Sequence, residues 1–162
     1  MKVLVTGATG FTGSHLAKRL FQSGFDVRVL VRDKSKVGQL NGFDPEVIKG
    51  DIRDPGAVDH AVRGVEKVFH IAAVYRTAGI KDEVYWDVHV KGTENLLNAS
   101  FKYGIQKFIH CSTVGVHGHI ENPPADENYP FNPGDIYQLT KLKGEITALQ
   151  FYQKTQLPVI VI

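Results

Sequence analysis

Short apolar segments alternate with longer amphipathic segments along this chain. Clustered β-branched residues predict strands over residues 2–6, 26–31, 46–49, 67–71, 107–111 and 159–162. Apolar positions at helical spacing predict helices over 14–23, 55–63, 83–103 and 136–155. Gly24, Gly64 and Gly104 each follow a predicted helix, at the position where helices commonly end. The chain is therefore organised as strands and helices in turn.

The strands inside this pattern are almost wholly apolar, which is typical of strands buried on both faces. Alternating strands and helices predict a parallel sheet with right-handed crossovers. We therefore expect an α/β fold, a doubly wound parallel sheet with helices on both faces. The 162 residues suffice for one domain with a sizeable core. Because the last residues, 157–162, resemble a strand at its beginning, we expect a longer protein whose N-terminal part is residues 1–162.

Charge and cysteine content narrow the classes of function. A net charge of +2 with scattered basic residues argues against a nucleic-acid partner. Cys111 is the only cysteine, so no internal disulfide can form, which fits a reducing, cytoplasmic location. Residues 1–6 lack the features of a secretory signal, and no apolar run reaches the length of a membrane span, so no membrane partner is expected.

Three glycines separate the first predicted strand from the first predicted helix. Gly7, Gly10 and Gly13 lie three residues apart. Glycine permits a tight turn and lets the backbone approach phosphate groups, and the following helix N-terminus offers unpaired N–H groups. Such a turn predicts a dinucleotide pyrophosphate site. Taken alone, the motif is equally compatible with an ordinary turn.

Two further segments fit the adenosine end of such a site. Arg32 follows the second strand directly and could contact the 2′-phosphate of NADP, whereas a carboxylate there would bind the ribose of NAD. The alternative is that Arg32 and Asp33 are solvated loop charges. Asp51 could accept a hydrogen bond from the adenine amino group while Ile52 packs on the ring; the alternative is a simple turn carboxylate.

Candidate catalytic residues occur near the end of the chain. Tyr137 and Lys141 are four residues apart and lie on one face of a predicted helix. A nearby ammonium group would lower the pKa of the tyrosine and make it a usable general acid or base. The alternative is that the two residues are simply a pair on the protein surface, which is the commoner case. Ser112 and Thr113 end the fifth strand, where ligands bind in open parallel sheets. Their alternative role is hydrogen bonding to the local backbone.

Taken together, these motifs resemble the extended short-chain dehydrogenase/reductases, the NAD-dependent epimerase/dehydratase superfamily. The matching segments are Thr-Gly-Ala-Thr-Gly-Phe-Thr-Gly at 6–13, Gly-Asp-Ile at 50–52, His-Ile-Ala-Ala at 70–73, Val-Lys-Gly-Thr-Glu-Asn-Leu-Leu at 90–97, Ser-Thr-Val-Gly-Val-His-Gly at 112–118 and Tyr-Gln-Leu-Thr-Lys at 137–141. Segments 29–33 and 70–75 resemble the dihydroflavonol reductase-like branch. Apolar Val31, where nucleotide-sugar epimerases usually carry aspartate, favours NADP over NAD.

The resemblance implies a Rossmann fold and roles for individual residues. Thr113 would hold the substrate oxygen, with Ser112 as an alternative, Tyr137 would transfer the proton, and Lys141 would bind the nicotinamide ribose and stabilise the phenolate. The implied cofactor-binding residues are Gly7, Thr9, Gly10, Phe11, Thr12, Gly13, Arg32, Asp51, Ile52, Ala72, Ala73, Tyr137 and Lys141. Helices 83–103 and 136–155 would pair in a homodimer, and the substrate region would lie mostly C-terminal to residue 162.

The leading hypothesis is an NADP-dependent oxidoreductase acting on a small carbonyl or alcohol substrate. The alternatives are an NAD-dependent nucleotide-sugar epimerase or dehydratase and a non-catalytic NADP-binding module, against which the Tyr137 and Lys141 pair argues. His89 replaces an asparagine of many relatives, and either a proton relay or a packed structural role fits it. The histidines near Cys111 have no recognised zinc spacing, so no metal site is expected. Tyr85 and Trp86 are expected to pack their helix.

Overall fold

Six parallel strands form one sheet in this computed structural model, which describes residues 1–33, 38, 40 and 42–162. The strands are β1 (Lys2–Thr6), β2 (Asp26–Val31), β3 (Glu46–Lys49), β4 (Lys67–His70), β5 (Lys107–His110) and β6 (Val159–Val161). Their order across the sheet is β3-β2-β1-β4-β5-β6, the order of doubly wound dinucleotide-binding sheets. The predicted α/β fold is confirmed. Strands β4, β5 and β6 each end one residue before the predicted position.

Helices cover both faces of this sheet. They are α1 (Phe11–Gln22), α2 (Pro55–Val62), α3 (Asp82–Trp86), α4 (Gly92–Lys102) and α5 (Ile136–Thr155). A π-helical turn (Asp87–Lys91) joins α3 to α4, and a 3-10 turn (Val114–His117) follows β5. The predicted helix over 83–103 is thus one helical stretch with an extra residue in its middle. None of the helices described here combines the length and apolar character needed to cross a membrane.

Alternate residues of the strands pack into two separate hydrophobic cores, one on each face of the sheet. In β1, Val3 and Val5 pack with Ala17 and Leu20 of α1 on one face. Leu4 lies in the other core, which residues of α2, α4 and α5 complete. Because the four inner strands, β2, β1, β4 and β5, hold the buried residues of the sheet, they have the apolar composition seen in the sequence. This sandwich holds the carboxyl ends of the strands in one row, where the candidate site lies.

Helix boundaries follow their capping residues. Asp135 accepts a hydrogen bond from the Gln138 amide at 2.7 Å, which fixes the start of α5 at the predicted residue. Helix α1 starts at Phe11, earlier than predicted, because its cap is Gly10 and no side chain signals the start. The three glycines expected to terminate helices adopt the positive φ of a C-terminal cap; they are Gly24, Gly64 and Gly104.

Candidate functional site

The three-glycine turn packs too tightly for any side chain at two of its positions. Gly7 has φ +72°, and a Cβ there would lie 2.7 Å from the amide nitrogen of Ala72. A Cβ on Gly13 would lie 2.1 Å from the carbonyl oxygen of Gly7. The Gly10 amide donates to that same oxygen at 3.0 Å. The turn thus seats the first turn of α1 directly on the end of β1.

The N-terminus of α1 suits an anionic group. Gly10 caps the helix without any side-chain hydrogen bond, and the first turn holds no acidic residue. The amides at the start of the helix therefore keep their hydrogen-bonding capacity, and the helix dipole adds partial positive charge. These are the properties that a pyrophosphate group requires at a helix N-terminus.

A Gly13→Ala substitution tests this close approach. Because the clashing atoms belong to the backbone, we expect α1 to shift, the free energy of unfolding to fall by about 1–3 kcal/mol, and dinucleotide affinity to fall more than about tenfold. Denaturant unfolding and calorimetric titration measure the two effects. Gly10→Ala is the matched control, because its Cβ would lie 3.3 Å from the nearest atom, the Gly7 carbonyl oxygen. Because Gly10 itself lines the cleft, the comparison is made on stability, and equal losses of stability in the two variants would contradict the proposed geometry.

A cleft of about 1120 Å³ opens beyond the carboxyl ends of β1 to β4. Its walls include Gly7, Thr9, Gly10, Phe11, Thr12, Gly13, Arg32, Asp51, Ile52, Ala72 and Ala73, all of which the sequence predicted as cofactor-binding residues. Tyr137 and Lys141, predicted for the same role, do not line it. The wall also holds eight residues that the sequence did not predict as cofactor-binding, which are Leu30, Val31, Asp33, Gly50, Ile71, Val74, Tyr75 and Val88.

Asp51 and Ile52, expected to contact the adenine ring, line the cleft and also contact other residues of the chain. Asp51 forms a two-pronged ion pair with Arg53, at 2.8 and 3.0 Å, and this pairing lowers the pKa of the carboxyl group. These contacts are those of a carboxylate in a turn, the alternative role considered for Asp51. Ile52 is only 7% exposed and fills the space beside Gly92, where a Cβ would lie 2.7 Å from it. Its side chain packs mainly in the core but also lines the cleft, and its contact with an adenine ring stays a prediction. Arg32 lies exposed at the cleft wall.

The three candidate catalytic residues lie next to the cleft, beyond β5. Thr113 caps the 3-10 turn, and its hydroxyl accepts a hydrogen bond from the Gly115 amide at 3.2 Å. Tyr137 lies in the first turn of α5, and its ring packs against that of Tyr75, with centroids 5.2 Å apart. Tyr75 in turn lines the cleft. Lys141, one turn further along α5, is 4% exposed.

The electrostatics of this group differ from the expected tyrosine–lysine pairing. Burial raises the pKa of Tyr137, and a hydrogen bond with Thr113 opposes that change. The ammonium group of Lys141 donates to the carbonyl oxygen of Cys111, and burial lowers its pKa. The expectation that Lys141 lowers the pKa of the tyrosine is therefore wrong for this arrangement. The ammonium is held at the end of β5 instead.

Ser112 has a different partner from Thr113. Its hydroxyl donates to a carboxylate oxygen of Glu145 at 2.5 Å. Thr113 is therefore better placed than Ser112 to hold a substrate oxygen beside Tyr137.

His89 is a fully bonded, buried residue. The Val74 amide donates to its Nε2 at 3.0 Å, so Nε2 is an acceptor and the neutral ring carries its proton on Nδ1. Nδ1 then donates to the Thr140 hydroxyl at 2.8 Å, and that hydroxyl donates to the Ile136 carbonyl oxygen at 2.7 Å. Burial lowers the pKa of His89 to about 4. Of the two alternatives, the packed structural role describes these contacts.

A second chain of hydrogen bonds runs from β1 to the π-helical turn. The Ala72 amide donates to Thr6 Oγ1 at 3.2 Å, and Thr6 Oγ1 lies 2.9 Å from His70 Nδ1. The Thr93 hydroxyl donates to the His89 carbonyl oxygen at 2.6 Å, so its oxygen accepts from His70 Nε2 at 3.0 Å. Both ring nitrogens of His70 thus have hydrogen-bond partners, and burial lowers its pKa well below 6.5, so the ring is neutral.

Residues considered for metal or ligand binding have other surroundings. His110 is 1% exposed, and neither ring nitrogen has a hydrogen-bond partner among the described residues. His117 stacks on Phe131, with centroids 5.3 Å apart. Within the described part of the chain, no three His, Cys, Asp or Glu side chains are grouped as metal ligands. Tyr85 packs in the helix as expected, whereas Trp86 is 38% exposed.

Known proteins share this sequence and fold. A family model described as the NAD dependent epimerase/dehydratase family matches residues 3–162. A putative UDP-glucose 4-epimerase from Methanocaldococcus jannaschii is 38% identical over 88% of this chain and 48% of its own length. A putative dihydroflavonol 4-reductase from Synechocystis is 34% identical over 97% of this chain and 47% of its own. The chain thus spans less than half the length of these curated relatives.

Solved structures agree with the sequence relatives. A short-chain dehydrogenase/reductase superfamily protein from Agrobacterium tumefaciens, determined with bound NAD, matches 99% of this chain and 48% of its own with a TM-score of 0.88 and 29% identity. The family match, the strand order and the glycine turn lead to one conclusion: this chain belongs to the NAD dependent epimerase/dehydratase family.

Proposed function

We propose that the protein is an NADP-dependent oxidoreductase that interconverts a carbonyl group and an alcohol in a small-molecule substrate. The observation that carries this proposal is the placement of Thr113 beside Tyr137, directly next to a cleft that fits a dinucleotide. A binding module would need the cleft alone. A hydroxyl pair beside the cleft is the arrangement that proton transfer to a substrate oxygen requires.

The residues of the cleft fit a nicotinamide dinucleotide. The turn around Gly7 and Gly13 leaves no room for side chains, and the uncapped start of α1 suits its pyrophosphate. When bound, this cofactor supplies hydride-transfer chemistry. In the direction of reduction, Tyr137 would donate its phenolic proton to the substrate oxygen, and the Thr113 hydroxyl would hold that oxygen by a hydrogen bond. Lys141, whose ammonium group donates to the carbonyl oxygen of Cys111, would bind the nicotinamide ribose.

Arg32 supports the choice of NADP. It follows the apolar Val31 at the end of β2 and lies in the cleft wall, where an arginine can form charge-assisted hydrogen bonds with a 2′-phosphate. We expect Arg32→Ala to weaken NADPH binding about 10–100-fold and NADH binding less than about twofold, because only NADPH carries that phosphate. Calorimetric titration with both cofactors measures this difference.

Arg53→Ala is the matched control for that experiment. Arg53 is a cation near the same end of the cleft, but Asp51 holds it in an ion pair at 2.8 Å. Its removal should change the affinities for the two cofactors equally. Unchanged NADPH affinity in Arg32→Ala would overturn the assignment of Arg32.

An epimerase or dehydratase that uses NAD is the second candidate, which the similarity to a putative UDP-glucose 4-epimerase favours. The two reactions differ in their net use of cofactor. A reductase consumes one NADPH for each carbonyl reduced, whereas an epimerase regenerates its cofactor within each turnover. Incubation of the full-length protein with NADPH and a panel of aldehydes and ketones should produce stoichiometric loss of NADPH. Turnover of a nucleotide sugar without net cofactor consumption would favour the epimerase instead.

A further inference from the structure

The ring of Tyr137 is enclosed by three side chains from other parts of the chain. Two are aromatic: Tyr75 meets it edge to face, and the His89 ring lies 5.6 Å away between centroids. The third is Arg76, whose guanidinium carbon lies 5.6 Å from the centroid of the Tyr137 ring. Because the ammonium of Lys141 is directed at the Cys111 carbonyl, the guanidinium is, among the described residues, the cation that faces this ring.

Arg76 is held in that position by the helix that carries Tyr137. Its Nε donates to a carboxylate oxygen of Asp135 at 2.7 Å. The other carboxylate oxygen of Asp135 caps α5 by accepting from the Gln138 amide. Arg76 Nη1 also donates to the Tyr75 hydroxyl at 3.4 Å, and the guanidinium lies 5.7 Å from the centroid of that ring. The cation is therefore fixed relative to both tyrosines.

We propose that Arg76 is a positioning residue that orients the Tyr137 ring and favours its charged, phenolate form. A cation close to a phenol stabilises the phenolate more than the neutral ring. Asp135, which is paired with the guanidinium at 2.7 Å, offsets part of this effect. The importance of Arg76 for turnover rests on the proposed function, whereas its effect on the ionisation of Tyr137 does not.

The surroundings of Tyr137 both raise and lower its pKa. Burial raises its pKa most, the hydrogen bond with Thr113 lowers it, and the charge of Arg76 also lowers it. The titratable and charged groups around the ring, from every element packed against it, are Tyr75, Arg76, His89, Cys111, Asp135 and Lys141. His89 is neutral in the folded protein, Lys141 is buried and Asp135 caps α5, so Arg76 is the charged group that a substitution can remove with the least disturbance.

Fluorine NMR of the full-length protein labelled with 3-fluorotyrosine tests this proposal without any substrate. The Tyr137 resonance is assigned by its loss in Tyr137→Phe, and its shift is followed against pH. We expect Arg76→Gln to raise the pKa of Tyr137 by about 0.5–1 pH unit, the size expected for a unit charge at this distance in a partly hydrated site. Arg76→Lys keeps the charge and should preserve most of the original pKa.

The chain also offers a matched control at a distant site. Arg63 forms an ion pair with Asp59 at 2.9 Å and lies 5.8 Å from the centroid of the Tyr103 ring, so it repeats the contacts of Arg76. Arg63→Gln should leave the titration of Tyr137 unchanged. Arg76→Met, which keeps the aliphatic stem, provides a second neutral variant should Arg76→Gln fold poorly.

The outcomes separate this proposal from the proposed function. An unchanged Tyr137 titration in Arg76→Gln and Arg76→Met would overturn the role of Arg76. A raised pKa in a protein that reduces no carbonyl would support the role and contradict the reductase. In an active enzyme, the alkaline limb of the pH profile of kcat/KM should move upward by the same amount as the NMR titration. A lower kcat/KM with no change of pH profile would indicate a merely structural residue.

Discussion

Replacing Tyr137 by phenylalanine should lower kcat/KM about 10²–10⁴-fold and leave NADPH affinity within about twofold of its original value. The substitution removes only the hydroxyl, the group that would donate a proton to the substrate oxygen, and general acid catalysis contributes a factor of this size. The ring keeps its edge-to-face contacts with Tyr75 and His89, so the fold should be preserved. Steady-state kinetics and calorimetric titration measure the two quantities.

Tyr75→Phe is the control for this substitution. Tyr75 is a neighbouring tyrosine at the cleft, 63% exposed, and its hydroxyl makes one long hydrogen bond with Arg76. Loss of that hydroxyl should change kcat/KM less than about fivefold. If Tyr137→Phe retained full turnover while binding NADPH normally, Tyr137 would not be the proton donor and the mechanism would be wrong.

The free energy of unfolding should fall steeply in mild acid. Below about pH 6.5, three buried histidines stay neutral in the folded protein but bind protons in the unfolded chain. Burial lowers the pKa of His89 to about 4 and that of His110 to about 3, and it lowers that of His70 well below 6.5. In the unfolded chain each histidine binds a proton below about pH 6.5. Between pH 6.5 and about 4 the unfolded state therefore holds more protons, so stability is complete above this window and declines as the pH falls through it.

Each such histidine contributes a slope of up to about 1.4 kcal/mol per pH unit within that window. Urea unfolding at about pH 7, 6 and 5 measures the slope of the unfolding free energy against pH. In this range most carboxylates remain charged in both states. His110→Leu should reduce the slope by the contribution of one histidine and cost little at neutral pH, because both ring nitrogens lack partners among the described residues. His15→Gln, at an exposed position, should leave the slope unchanged. A stability independent of pH across this range would contradict the buried neutral histidines.

Local signals in the sequence were sufficient for most of the fold. Apolar runs predicted every strand of the sheet, and the predicted start of α5 is confirmed, where Asp135 caps the helix by a hydrogen bond with a nearby residue. The glycine turn was also predictable, because its geometry depends on missing side chains. Gly10 gave no comparable signal for the start of α1, since glycine caps a helix without a side-chain bond.

Features that depend on distant contacts were not predictable. The π-helical turn Asp87–Lys91 adds a residue to a helix whose apolar spacing continues on both sides, and its buried histidine has hydrogen-bond partners in the loop after β4 and on α5. The contact of Arg76 with Tyr137 joins a loop after β4 to the start of α5. The direction of the Lys141 ammonium depends on the Cys111 carbonyl, which no pattern of side chains reveals. Pairing of two helices in a homodimer stays a prediction.

Binding of NADP⁺ and NAD⁺ to the unmodified full-length protein tests the central claim most directly. Calorimetric titration under identical conditions gives both dissociation constants without any assumption about the substrate. The cleft, the glycine turn and Arg32 predict that both cofactors bind and that NADP⁺ binds at least about tenfold more tightly. Tighter binding of NAD⁺, or binding of neither cofactor, would contradict the account.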